Sequence, residues 1–174
     1  MTLEKARIAL DRDAFLGTIL SELSGALEKT VGLREASGAI GVVGQVVGGQ
    51  LDDEYRRVLQ VPRLTREQVA AVCVDLKRRI GGDFYVIEQD DHRIVFGNRA
   101  CPFQNKVHDR PSMCMVTSSV FGSIAARNLG YAKVELQQTI ARGDDRCRVV
   151  LHLTTTAASE RVEGQEYFGA VEGA

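Results

Sequence analysis

The chain has 174 residues, 44% hydrophobic and 26% charged, which is the balance of a globular protein with one domain, or one domain and an accessory helical arm. Lys+Arg 22 against Asp+Glu 23, a net charge of -1, leaves no basic face of the kind broad nucleic-acid binding needs. No stretch approaches the roughly 18 apolar residues of a membrane span, and the charged N-terminus does not read as a secretory signal. The expectation is a cytoplasmic protein, in which the four cysteines serve as ligands, thiols or core residues rather than disulfides.

Residues 1–12 read as charged and frayed or loosely helical. From Asp13 the residues Leu16, Leu20, Leu23, Leu27 and Val31 recur at helical steps, predicting one apolar face, for a core or for a dimer, and a stop at Gly32. Residues 33–59 continue as a second helix in which Gly38, Gly41, Gly44, Gly48 and Gly49 interleave with Ile40, Val42, Val43, Val46 and Val47. Neither a P-loop nor a dinucleotide fingerprint is present. Each glycine lowers helix propensity by about 1 kcal/mol relative to alanine, so this face needs a close neighbour, in the fold or in a second subunit. Val61 to Leu64 is a linker. Thr65 and Gln68 form a capping-box pattern that opens a third helix with Val69, Val72, Cys73, Leu76 and Ile80 on one stripe, and Cys73 reads as core. The short basic clusters Arg56-Arg57 and Lys77-Arg78-Arg79 read as solvated helix faces.

Phe84–Gln89 and His92–Asn98 alternate as a hairpin about Gln89-Asp90-Asp91. A loop from Arg99 to Pro111 leads to a helix over about 112–128, closed by Gly130. Two further strands, Tyr131–Ala141 and Arg146–Thr154, turn at Arg142-Gly143-Asp144-Asp145. The polar tail 155–174 has no period and is expected to lack regular structure. The order predicts an α+β fold: an N-terminal helical arm (1–64) that is also a dimer element, then a β-β-α-β-β domain (65–154) with a four-stranded antiparallel sheet packed on helices.

Three cysteines fall at element ends: Cys101 after the second strand, Cys114 in the first turn of a helix, and Cys147 at the start of the last strand. Meeting in space, they would supply three sulfurs of a tetrahedral zinc site, with His108 first in line as the fourth ligand and Glu135 and Asp109 behind it. A helix start also favours thiolate. No C-x-x-C pair is present, so unrelated buried cysteines, a metal-free redox pair and an iron–sulfur centre stay open. A cysteine-dependent enzyme, Cys114 as nucleophile and His108 as base, lacks any third group. His92 reads as solvated, and His152 as surface or pocket-lining.

The segments C-P-F (Cys101–Phe103), P-S-M-C-M-V-T-S-S-V-F-G (Pro111–Gly122) and G-D-D-R-C (Gly143–Cys147), with D-L-K-R-R-I-G-G-D-F (Asp75–Phe84) upstream, resemble the methanogen output domain family from about Leu16 to Leu153. More distantly the chain is similar to the 4-vinyl-reductase-like ligand-binding domains, which share architecture with vesicle-tethering subunits. The resemblance implies a dimeric sensory or regulatory module rather than a catalyst. It also implies zinc held by cysteines and a glutamate near the ligand pocket. Cys114 and Cys147 match two of those cysteines and Glu135 the glutamate; Thr139 stands near the third cysteine position, for which Cys101 would substitute. The expected function is therefore a small-molecule-binding module with a cysteine-based site, acting through a partner protein. The helix over 112–128, with Phe84, Tyr85, Phe96 and Phe103, lines an apolar pocket or forms plain core.

Overall fold

The computed structural model describes residues 10–169, so the expectations for residues 1–9 and for 170–174 of the tail lie outside the described residues. Helix α1 (Arg12–Val31) starts at Asp11, whose carboxylate accepts the Ala14 amide at 2.7 Å. Gly32, at φ +87°, turns the chain into α2 (Leu33–Leu59). Thr65 and Gln68 cap α3 (Arg66–Arg79) reciprocally, as the sequence predicts.

The apolar face expected on α1, for a core or for a dimer, is largely exposed within the single chain. Leu16, Leu20, Leu23 and Val31 are exposed, and the buried residues are Ser21, Ser24 and Gly25. Helix α1 packs beside α2 and over the loop 101–113, and it meets that loop through its small polar side rather than its leucines. Small side chains let α1 approach that loop and satisfy its polar groups. The Ser21 hydroxyl donates to the Lys106 carbonyl (2.7 Å), Arg110 Nε donates to the Ser21 carbonyl (3.1 Å), and the Ser112 amide donates to the Glu28 carboxylate (3.1 Å).

The glycines of α2 find their neighbour within the chain. Gly41, Gly44 and Gly48 face α4 (Cys114–Leu129), and a Cβ at Gly44 would stand 2.7 Å from Ser119 Cβ and 3.1 Å from the Val116 carbonyl. At Gly48 it would stand 2.9 Å from Ser123 Cβ. Beside this seam Asp52 is fully buried, accepting from Arg127 Nε (2.8 Å) and Asn128 Nδ2 (2.5 Å), while Asn128 Oδ1 accepts the Leu64 amide (2.7 Å). One polar knot thus joins α2, α4 and the linker. The arginines of the basic clusters are neutralised locally: Arg56 pairs with Asp53 (2.5 Å), Arg57 with Glu54 (2.6 Å), and Arg78 and Arg79 with Asp75.

The sheet has five strands, one more than expected, in the order β1-β2-β4-β3-β5, each pair antiparallel. They are β1 (Phe84–Gln89), β2 (Arg93–Asn98), β3 (Tyr131–Gln138), β4 (Cys147–His152) and β5 (Gln165–Phe168). The α+β class stands. The extra strand comes from the tail, after the single turn α5 (Ala157–Glu160). Its anchor is Tyr167, whose ring fills the space beside Gly122 and whose hydroxyl lies 3.0 Å from both Ser118 and Ser119 Oγ. Helices α3 and α4 cover one sheet face, and Val69, Cys73, Phe84, Phe96, Phe121, Ile124 and Leu151 form the centre of the core between them.

Gly44 and Gly38 lie on the same helix in opposite environments, since a Cβ at Gly38 would meet nothing within 4 Å. Gly44→Val is expected to destabilise the protein by about 1–3 kcal/mol through overpacking. Gly38→Ala is expected to stabilise it by about 0.5–1 kcal/mol through helix propensity. Urea midpoints of both variants check the pair; equal effects would mean that α2 does not touch α4 along this seam.

Candidate ligand-binding cavity

Cys101, Cys114 and Cys147 do meet. They line a cavity with a volume of about 30 Å³, closed by Phe84, Phe103, Val107, Met113, Leu136 and Val149, with Asn98, Thr117 and Thr139 as its polar groups. The elements bring them there in a simple way. The sheet pairs Asn98 at the end of β2 with Cys147 at the start of β4, and Asn98 Nδ2 reaches Cys147 Sγ at 3.6 Å. The loop after β2 carries Cys101, and a short 3-10 turn (Pro111–Met113) delivers Cys114 as the first residue of α4.

The remaining expected ligands are elsewhere. His108 is exposed and is not part of the lining, and Asp109 is exposed in the left-handed region at φ +58°. Glu135 and His152 sit on the opposite sheet face, bonded to each other at 3.0 Å, because side chains alternate along a strand. His152 is buried rather than on the surface. A tetrahedral zinc centre needs four donors. The lining supplies three sulfurs, no histidine and no carboxylate, and no group of three or more His, Cys, Asp or Glu among the described residues is arranged to hold a metal ion. As the side chains stand, the residues do not fit that ion.

The thiols are also not the activated kind that a helix start suggests. Burial pushes the Cys101 thiol up and the Cys114 thiol up to about 12, so desolvation outweighs the helix terminus. Cys73, fully buried in the core of α3, is raised further for the same reason.

Two groups near the cavity escape a reading of the sequence. The first is Lys77. Ile80, expected on the buried stripe of α3, is exposed past the last helical turn, and Lys77, four residues after Cys73, takes the buried place at 2% exposure. Its Nζ donates to Thr117 Oγ1 (2.7 Å) and lies 5.5 Å and 5.6 Å from the Phe84 and Phe121 ring centroids. Desolvation lowers its pKa from 10.5 to about 8, against an opposing effect from the neighbouring cysteines. The 3.6-residue period that marks Cys73 also marks Lys77, so the signal was in the sequence; the basic run around it pointed to solvent. The second is Thr139. It is 2% exposed, and its hydroxyl faces the Cys114 thiol, a weak partner at best for a buried oxygen.

A second cavity of about 180 Å³ adjoins the first. Leu20, Leu23 and Leu27 of α1 and Ala39, Ile40 and Val43 of α2 line it, together with Phe103, Met113 and Val116. Phe103 and Met113 belong to both linings.

The sequence of the methanogen output domain 1 family matches residues 19–152, most of the described chain. The chain belongs to that family. Among solved structures, this methanogen output domain resembles the crystal structure of the trafficking protein particle complex subunit 3 from Naegleria fowleri covalently bound to palmitic acid. The two are 14% identical with a TM-score of 0.57, over 81% of this chain and 96% of that one. It also resembles the phenol-responsive sensory domain of the transcription activator PoxR with phenol, at 14% identity and a TM-score of 0.60, over 87% of this chain and 79% of that one. At these identities the likeness is one of fold. Curated protein sequences give no match. No helix among the described residues is long and apolar enough to cross a membrane.

Two outcomes follow for this methanogen output domain. Elemental analysis of protein purified without added metal should find far less than one zinc per chain; one zinc per chain, lost in Cys114→Ser, would reinstate the metal site. The second concerns pH. Between about pH 8 and 10.5 the unfolded chain holds the Lys77 proton that the folded chain has released, so in that window the Lys77 contribution to stability rises with pH. Lys77→Met should therefore be more stable than wild type at pH 7 and lose that advantage by pH 10, read from urea midpoints. A variant less stable at pH 7 would show that the ammonium has a strong partner.

Proposed function

We propose that the protein is a regulatory module that takes a small apolar ligand into its two adjoining cavities, the larger between α1 and α2 and the smaller between the cysteine loop, the start of α4 and the ends of β2 and β4. The observation that carries this reading is the apolar lining itself: Phe84, Phe103, Val107, Met113, Leu136 and Val149 around a space that no side chain fills, continuous through Phe103 and Met113 with the larger apolar cavity. The family fits a regulatory role, and two structures of the same fold are described with phenol and with palmitic acid, each mostly hydrocarbon. The neutral thiols serve as polarisable wall rather than as nucleophiles, and α1 is the cover that a ligand would move or brace.

A second copy of the chain is the partner that fits the outer surface. Phe15, Leu16, Ile19 and Leu23 of α1 and Val42, Val43 and Val46 of α2 are exposed. Helices of 20 and 27 residues extend about 30 and 40 Å. Their joint face can therefore approach the roughly 800 Å² per partner of a stable interface. This role rests on the outward leucines and valines, not on the glycines, which α4 already covers.

Isothermal titration with 4-methylphenol and 1-octanol, simple neutral apolar probes, tests the ligand reading. Saturable binding of at least one is expected, weakened at least tenfold in Met113→Trp, whose ring would fill the cavity. Binding unchanged in that variant places the ligand elsewhere. For assembly, sedimentation velocity should give a dimer that Val43→Glu converts to monomer; a wild-type monomer at high concentration removes the proposal.

A further inference from the structure

Lys77 is a buried cation that the rest of the site does not balance. The groups facing it are Thr117 and Phe121 from α4, Phe84 from β1, and the sulfurs of Cys73, Cys101, Cys114 and Cys147 from α3, the loop, α4 and β4. Among the described residues no carboxylate pairs with it. Burying a charge is costly unless a partner comes with it, and burial keeps Cys101 and Cys114 protonated, so neither serves as counter-ion.

The neighbouring cavity is mostly apolar, and the few polar side chains that reach it can donate hydrogen bonds. Thr117 accepts from Lys77, which leaves its own proton to donate. Thr139 offers a hydroxyl whose one neighbouring polar group is the Cys114 thiol, and Asn98 an amide that donates only to the weakly accepting Cys147 sulfur. No acidic side chain lines the space. Its volume of about 30 Å³ holds one or two waters, room for a three-atom head group but not for a phosphate. Past Phe103 and Met113 the 180 Å³ apolar cavity offers room for the rest of a molecule. Met113 is the flexible kind of side chain that can open such a passage.

We propose that the ligand is a hydrocarbon carboxylic acid, bound without covalent chemistry. Its carboxylate accepts from Thr117 and Thr139 in front of the Lys77 ammonium, and its hydrocarbon body runs between α1 and α2. This rests on the apolar-ligand reading above and narrows it from neutral molecules to anionic ones. The sulfurs around the head group complete a wall that neither repels the carboxylate nor competes for it.

The test compares octanoate with 1-octanol, the same chain with and without the anionic head, by isothermal titration at pH 7. Wild type should bind octanoate at least tenfold more tightly than 1-octanol, the difference expected of charge-assisted hydrogen bonds. Lys77→Met should abolish that preference while binding 1-octanol within about twofold of wild type. Thr117→Val, which keeps the cation and removes the hydroxyl in front of it, should reduce the preference without abolishing it; circular dichroism confirms that both variants are folded. Equal or tighter binding of 1-octanol by wild type overturns the anionic head group and leaves the apolar pocket standing. An octanoate preference that survives in Lys77→Met overturns the role of Lys77. Binding of neither probe overturns both the head group and the pocket.

Discussion

Gly44 and Gly48 bring the backbone of α2 against that of α4 with no side chain between them, and the rest of the molecule is arranged around that approach. Glycine in a helix interior costs about 1 kcal/mol of propensity per residue. The cost is offset by dense backbone packing and by the buried knot of Asp52, Arg127 and Asn128 at the far end of the seam. Asp52 has a second consequence. A fully buried carboxylate tolerates only the register in which its donors are in place, so α4 cannot slide along α2. Fixing α4 fixes Cys114 and Thr117 at its start and Ser118 and Ser119 in its middle, and through Tyr167 it fixes the edge strand β5.

Helix α1 follows a different logic. It is held by hydrogen bonds to the loop over 101–113, through Ser21, Arg110 and Glu28, and not by a buried apolar stripe. Such contacts exchange readily with water, and each contributes on the order of 1 kcal/mol. A cover fastened this way can be displaced at modest cost, whereas the glycine seam cannot. The cavities lie where these two regimes meet, with the rigid seam behind them and the polar clasp in front.

Elements with a strong period were legible in the sequence: α2, the capping box at Thr65, the two hairpins and the α+β class. Convergence of three cysteines was legible too, because all three stand at element ends that a sheet-and-helix layer must bring to one rim. What failed did so for identifiable reasons. The leucines of α1 have the period of a core or a dimer face, but period does not say which surface a helix rests on; within the chain the small side of α1 meets the loop while its leucines stay largely exposed. Strand β5 is four residues long and depends on one tyrosine finding a glycine on α4, a pairing of distant residues that no local pattern records. Glu135 joins the expected ligands as a weaker candidate and as the glutamate the resemblance implies, while the two-residue alternation of β3 turns it to the other face, toward His152. Lys77 was read with its basic neighbours as solvent-facing, although Cys73 one turn earlier marks the same position as buried.

The chemistry of the cavity is decided by a contest between a helix start and desolvation. A thiol at the first residue of α4 would be acidified if water reached it. Here the apolar walls win, and the sulfur stays neutral. The same desolvation acts on Lys77 in the opposite sense, since for an amine it is the charged form that burial disfavours, but a pKa of about 8 leaves most of the ammonium protonated at neutral pH. One environment therefore silences the candidate nucleophiles and preserves a cation without a counter-charge. A site of that kind is poor at catalysis and costly when empty. Any molecule that supplies the missing negative charge relieves that cost when it is bound. Helix α1, clasped by a few polar contacts, lies over the loop 101–113.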